Sequence, residues 1–228
     1  MITRPAGAPI FRAAPKSTAS DHITMEIEAA VSRGDLRPGE RFRLKDLAKQ
    51  FNVSVIPVRE ALNRLAARGL VQRGSDRGMF VVELSLEELG AILEVRLPLE
   101  GLAARLATSR ATLEEFTALR RTVVGMTQAL ARRDQLHYSE CDLEFHQRLW
   151  SCARNPFLER CLKSIMLPWF GYQIAKGVLS LEEDWGQIPG LHAQIIDAME
   201  SGYADKAEQS VRDLTSCVKN YITHEAQQ

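Results

Sequence analysis

Asp142 and His146 stand four residues apart in a stretch of helical periodicity, so both side chains leave one helix face. A carboxylate and an imidazole at that spacing can grip one divalent cation, and His192, on a later segment, offers a third ligand. Asp and His ligands with open coordination positions suit Zn, Ni, Fe or Mn. The same pair can equally make a hydrogen bond on a helix surface. Arg96 lies among Leu93, Val95, Leu97 and Leu99, and a guanidinium in apolar company needs an anion. That anion is either Glu100, four residues on, or the carboxylate of a bound small molecule, which a guanidinium takes with two parallel bonds. Trp169, Tyr172 and Gln173 either line such a pocket or pack the core. Trp150 and Phe157 read as core, and Arg148, two residues after His146, faces solvent. A metal held this way could serve hydrolysis, but that needs a water-activating base. The chain has neither HExxH nor GxSxG, so no enzyme is expected.

A second group lies near the N-terminus. Val55, Arg59 and Asn63 recur once per helical turn and share a face. Arginine on such a face suits guanine O6 and N7, a contact worth ~1–3 kcal/mol of discrimination. The 228 residues carry 29 basic and 29 acidic groups, a balance that taken whole argues against nucleic acid. Residues 1–82 hold 14 Lys and Arg against 8 Asp and Glu, a net of +6, and the remainder carries −6. A basic front and an acidic back imply two modules with different partners. Cys141, Cys152, Cys161 and Cys217 form no CxxC pair and read as buried hydrophobes in a reducing cytosol. No run of ~18 uncharged apolar residues occurs, so no membrane span is expected.

These residues need elements to hold them. Residues 1–19 contain three prolines and no acid and read as a disordered arm. Ile23, Ile27, Ala30 and Val31 make one helical stripe, ended by Gly34. A Pro-Gly turn over 35–40 and a short helix, Lys45 to Phe51, follow. Asn52 turns the chain, and Ser54 is placed to cap a helix by accepting a backbone N–H. Pro57 sits in the first turn of that helix, where a missing donor costs little. Val58, Leu62 and Leu65 form its buried stripe, and Gly69 stops it. Residues 70–74 and 79–83 read as strands around the turn Ser75 to Gly78. Helix, short helix, turn, helix and hairpin make a winged helix-turn-helix over 20–83. Residues 84–228 read as six helices near 86–108, 111–133, 135–153, 156–177, 188–201 and 203–225, an antiparallel all-α bundle. Pro98 and Pro168 should kink or divide two of them. The fold class is therefore mainly α.

The run Ser54 to Leu62, followed by Arg64-Leu65 and Gly69-Leu70-Val71, resembles the GntR family of bacterial transcription regulators. Gly34 to Gly39 and Gly78 to Val81 fit the same pattern. The back half resembles the FCD effector domain of the FadR-like branch, through Arg96 with Glu100, Asp142 with His146 and then Asn155, and His192 before Gly202. The resemblance implies a cytoplasmic bacterial homodimer on double-stranded operator DNA, a repressor in most such proteins. It implies a small carboxylate or sugar acid as effector, with Arg96 on its carboxylate, and a metal on Asp142, His146 and His192. It also implies DNA contacts from Lys45 and Arg59; by their places on the same helix and the wing, Ser54 and Asn63 would face the DNA, and Arg73, Ser75 and Arg77 would lie along the minor groove or phosphates. Relatives usually have Arg and Thr where this chain has Val55 and Ile56, whose methyl groups can pack on thymine methyls or sit against the backbone. The family's fourth metal ligand, a His, falls at Leu214, which cannot ligate. Asp213 beside it is turned by ~100°, and His224 lies too far along the chain. Three ligands plus waters or effector, or a metal-free pocket taking an acyl-type apolar ligand, are the alternatives.

Overall fold

Thr18 and Asp21 start the first helix by bonding each other: the Thr18 N–H and hydroxyl both donate to Asp21 Oδ2, at 2.8 and 2.9 Å. The computed structural model describes residues 18–32, 35–75, 78–176 and 186–225. The arm expected over 1–19 thus lies almost wholly outside the described residues, and its last residue is already helical. Gly34 and Arg77 lie outside them too. Helix α1 (Ala19–Ser32) buries Ile23, Ile27 and Val31. Strand β1 (Arg41–Phe42) leads into α2 (Leu44–Gln50), and Asn52 makes the turn at φ 52°. Helix α3 (Val55–Ala67) buries Val58, Ala61, Leu62 and Leu65. Ser54 occupies the cap position with extended backbone, but its side chain makes no cap hydrogen bond, contrary to the expected cap. Strands β2 (Val71–Arg73) and β3 (Met79–Val81) form the hairpin. The sheet has a third strand the pattern did not reveal: β1 pairs antiparallel with β3, Arg41 opposite Phe80, giving the order β1-β3-β2. Arg41 stacks its guanidinium 5.6 Å from the Phe80 ring.

The second half is built from α4 (Leu86–Thr108), α5 (Leu113–Arg132), α6 (Gln135–Cys152), α7 (Pro156–Lys176), α8 (Ile188–Glu200) and α9 (Ala204–Glu225). Capping boxes start two of them. Ser85 exchanges bonds with Glu88 and Thr112 with Glu115, satisfying donors that a helix start leaves bare. Neither internal proline divides its helix: α4 runs through Pro98 and α7 through Pro168. Phe157 is 72% exposed rather than core, under the Arg160 guanidinium at 4.4 Å. It sits in the first turn of α7, before the helix reaches the bundle interior. Trp150 is fully buried. Cys141 and Cys152 are buried as expected, Cys161 is exposed, and no disulfide joins any of the four.

Two apolar clusters result, one in the α1–β3 half and one in the helical half. Helix α7 belongs to both. Met166, Trp169 and Phe170 enter the helical cluster, while Ile174 and Ala175 pack with α1 and α3. The seam is close because it is made of glycine. A Cβ on Gly171 would lie 2.3 Å from the Gly69 carbonyl oxygen, and one on Gly69 would lie 2.1 Å from the Leu167 backbone. Gly69 also needs its side-chain freedom for φ +78°, just past the end of α3.

Candidate metal centre and nucleic-acid interface

Helices α4, α6 and α8 bring Arg96, Glu100, Asp142, His146 and His192 into one buried cluster. Glu100 is wholly buried and fully engaged. Its Oε2 accepts from Arg96 Nε at 2.6 Å, and its Oε1 accepts from the Trp150 indole N–H at 2.9 Å. His146 Nδ1 lies 2.6 Å from the same Oε1, off the line of a hydrogen bond. Arg96 Nη2 lies 3.1 Å from His146 Nε2. Arginine only donates, so His146 Nε2 carries the lone pair and the proton sits on Nδ1, facing the Glu100 carboxylate. The same logic holds for His192. Its Nδ1 is 2.9 Å from the Ile188 carbonyl oxygen, which only accepts, so a neutral His192 presents a lone pair at Nε2.

Three acceptor atoms therefore face one another. His192 Nε2 is 3.1 Å from Asp142 Oδ1 and 3.4 Å from His146 Nε2, and His146 Nε2 is 3.7 Å from Asp142 Oδ1. Lone pairs so placed repel unless a proton or a cation lies among them. Atoms bound to one metal at about 2.1 Å, with angles of 90–109°, sit roughly 3.0–3.4 Å apart; two of the three spacings fall in that range, and the His146–Asp142 one, at 3.7 Å, would have to close slightly. Buried Asp142 Oδ1 has no hydrogen-bond partner, as a ligand atom would. Metal-ligating histidines commonly donate their other nitrogen to a carboxylate or a backbone carbonyl; Glu100 and Ile188 stand in those places. Burial pushes the Asp142 and Glu100 carboxyls up. The partners of Asp142 (His192, His146 and Arg96) and of Glu100 (Arg96 and His146) outweigh it, so both stay below the ordinary carboxylate range. Counted without the imidazoles, two carboxylates and one guanidinium sum to −1.

The walls are aromatic. Trp169 lies under the Arg96 guanidinium at 6.0 Å, Phe145 meets His192 edge-on at 4.5 Å, and Phe170 sits 5.6 Å from the His146 ring. Tyr172 packs half-buried on the same core, and Gln173 is buried beside it. Glu100 as the partner of His146, and Phe145 and Phe170 as walls, were missed. The only sequence hint was Trp150, four residues after His146 on the same helix. The fourth-ligand question resolves against Asp213, which is exposed and accepts from Gln209 at 2.9 Å. Leu214 is buried in the apolar cluster.

On the other half, Ser54, Ile56, Arg59 and Asn63 line the exposed face of α3, with Lys45 exposed on α2 and Arg73 and Ser75 on the hairpin. The two departures from the family pattern separate. Val55 leans on the apolar cluster, whereas Ile56 is 69% exposed. Arg64 and Arg68 face α1 and pair with Asp21 and Glu28, while no ion pair engages Arg59 among the described residues. Asn63 Oδ1 accepts from Arg73 Nη2 at 2.8 Å. That bond ties the exposed face of α3 to the wing, and the second lone pair and the NH₂ group of Asn63 stay open to a base edge.

Among the described residues no helix is long and apolar enough to cross a membrane. The chain is 37% identical to the Nta operon transcriptional regulator of Aminobacter aminovorans over 131 residues, 57% of this chain and 61% of that one. That match spans less than two thirds of the relative's length. A "Probable D-xylose utilization operon transcriptional repressor" of Paenarthrobacter nicotinovorans is 27% identical over 215 residues, 93% of this chain and 89% of that one. The solved structure of E. coli McbR/YncC superposes with a TM-score of 0.74 at 19% identity, covering 92% of this chain and 99% of that one, which shows a shared fold. The description "Bacterial regulatory proteins, gntR family" matches residues 19–81, and "FCD domain" matches residues 91–216, more than half of the chain. The chain belongs to the GntR family of bacterial regulatory proteins and carries an FCD domain as its helical half.

Proposed function

We propose that the chain is a DNA-binding transcriptional regulator, a homodimeric repressor that leaves its operator when a small carboxylate or sugar acid binds the helical half through a divalent metal. Paired winged helices suit a pseudo-palindromic operator, with Arg59 reading base edges and Lys45, Arg73, Ser75 and Arg77 on phosphates or the minor groove. The observation that carries the effector reading is the buried, convergent trio Asp142 Oδ1, His146 Nε2 and His192 Nε2, within 4.8 Å of one another. Those three residues would hold the metal, and Zn, Ni, Fe or Mn fits an Asp-His-His set with open positions. When bound, the ion supplies a Lewis-acidic charge that takes up a carboxylate. Charge argues for both together: a divalent ion turns the cluster from −1 to +1, and a monocarboxylate brings it to neutral. A metal-free pocket is the second reading, favoured by Arg96 on the lone pair of His146.

A thermal-shift screen of organic and sugar acids, with and without Zn, Ni, Fe or Mn, tests the effector reading, because a ligand of the native state raises its melting point. The expected result is a metal-dependent shift lost in His146→Ala, and release of operator by the same acid in a band-shift assay. Metal-independent shifts would leave the metal-free pocket; no shift from any acid would remove the effector reading altogether.

A further inference from the structure

The Asp142–His146–His192 site has a cation already at its edge. Arg96 is 2% exposed. Its Nε is committed to Glu100 at 2.6 Å, and its Nη2 points at the one atom of His146 that a metal would use, at 3.1 Å. A nitrogen has a single lone pair. It cannot accept from Arg96 and ligate an ion at once, so the two cations exclude each other at this atom.

We propose that Arg96 is the resident cation of the site, closing it on His146 Nε2 and yielding that atom when a divalent metal binds. This rests on the metal reading above. The other two ligands need no such exchange. Asp142 Oδ1 has no hydrogen-bond partner, and the far side of His192 is already fixed by the Ile188 carbonyl. The Nε bond to Glu100 anchors the guanidinium while Nη2 lets go, so the arginine stays paired throughout. The released N–H is then a buried donor without an acceptor, a costly state that an incoming carboxylate relieves. Metal and carboxylate thus favour each other through one guanidinium. The regulator responds to the pair rather than to free metal.

The test is Zn²⁺ binding by competition with a chelating dye, on wild type and Arg96→Met, with helical content checked by circular dichroism. Losing the competing bond should tighten Zn²⁺ binding roughly tenfold or more, the worth of one hydrogen bond to a charged donor. The second measurement needs no variant. In metal-free wild type the Arg96 side-chain N–H signals are followed by NMR through a Zn²⁺ titration, and they should shift to a new position as the site fills. Wild type that binds Zn²⁺ while the Arg96 signals stay unmoved overturns the exchange and leaves the metal reading intact. A folded Arg96→Met that binds Zn²⁺ no tighter than wild type does the same. Absence of Zn²⁺ binding in both proteins overturns the metal reading and this inference with it.

Discussion

Glu100→Gln removes one negative charge from the most enclosed point of the helical half. The carboxylate is fully buried, accepts from the Arg96 guanidinium and the Trp150 indole N–H, and lies 2.6 Å from His146 Nδ1. Glutamine keeps one acceptor oxygen but sets an NH₂ donor against either Arg96 or the Trp150–His146 pair, all donors. Arg96 is left buried without its counter-ion. Breaking a buried pair on one side costs about 3–5 kcal/mol, and a domain of this size loses about 2–4 °C per kcal/mol. The melting point of chelator-treated protein should therefore fall by roughly 6–20 °C. Arg96→Met combined with Glu100→Leu should lose much less, because apolar groups of similar size replace a buried pair at little cost. The pH profile gives an independent reading. A carboxyl held low in the fold stabilises above its unfolded value near ~4.3, and that stability is lost as pH falls through the lower, folded value. Glu100 and Asp142 both shift this way. Wild type should hold its melting point from neutrality to about pH 5 and lose it below, with a shallower acid loss in Glu100→Gln. A fall in melting point under about 3 °C for Glu100→Gln, or an acid limb unchanged by it, would show that water already screens this cluster and would refute the buried-pair argument.

Arg59→Ala should abolish sequence-specific operator binding in a band-shift assay and leave the folding stability within about 0.5 kcal/mol of wild type, since the side chain is exposed and makes no ion pair among the described residues; retained operator affinity would defeat its assignment. Ile56→Ala should weaken binding only to sites with thymine at one position, by about 1 kcal/mol or more, read by comparing operators that carry thymine or uracil there; equal loss on both would mean that Ile56 reads no methyl group. Gly171→Ala drives a Cβ to 2.3 Å from the Gly69 carbonyl and should cost about 1–3 kcal/mol by overpacking, with faster amide exchange in α3 and α7; an unchanged melting point would mean the seam is looser than drawn.

The helices were legible because long amphipathic periods and polar caps survive without tertiary context. Ser85 through Glu88 announces α4 by itself, and the six bundle helices begin and end within two residues of where periodicity places them. What escaped was decided by contacts across the fold. Strand β1 is two residues long, too short for alternation to register, and exists because β3 offers it an edge. Phe157 looked like core because composition cannot tell the first exposed turn of a helix from its buried middle. At the site, spacing put Asp142 and His146 on one helix face, and the family resemblance added His192. The partner that sets the His146 tautomer was not, since Glu100 meets His146 and Trp150 across gaps of 46 and 50 residues in the chain. Glu100 was seen only as a neighbour of Arg96, four positions along one helix. The missing fourth ligand was legible as an absence, and α9 shows where the residues at that register lie: Leu214 in the core and Asp213 on the surface beside Gln209.

Helix α7 is the element that touches both the buried acid–imidazole cluster and the α1–β3 half. Trp169 touches Arg96 and Phe170 touches His146. The next residue, Gly171, lies backbone to backbone against Gly69, which follows α3 directly. Three consecutive residues thus span the distance from the site to the end of the recognition helix. Side chains absorb small displacements by changing rotamer, but a glycine–glycine contact has none to change. Any movement of α7 that follows rearrangement of Arg96 or His146 must either slide the seam as a unit or open it, because packed interiors have discrete arrangements rather than soft ones. The far side of α7 is held just as firmly, with Ile174 and Ala175 in the same cluster as α1 and α3, and Arg64 and Arg68 pin α1 to α3 through Asp21 and Glu28. Helix α3 is thus packed against α7 and packed and ion-paired to α1 as one unit. In a dimer, a rigid rotation of that unit changes the separation of two α3 helices, and a pseudo-palindromic operator tolerates little change in half-site spacing.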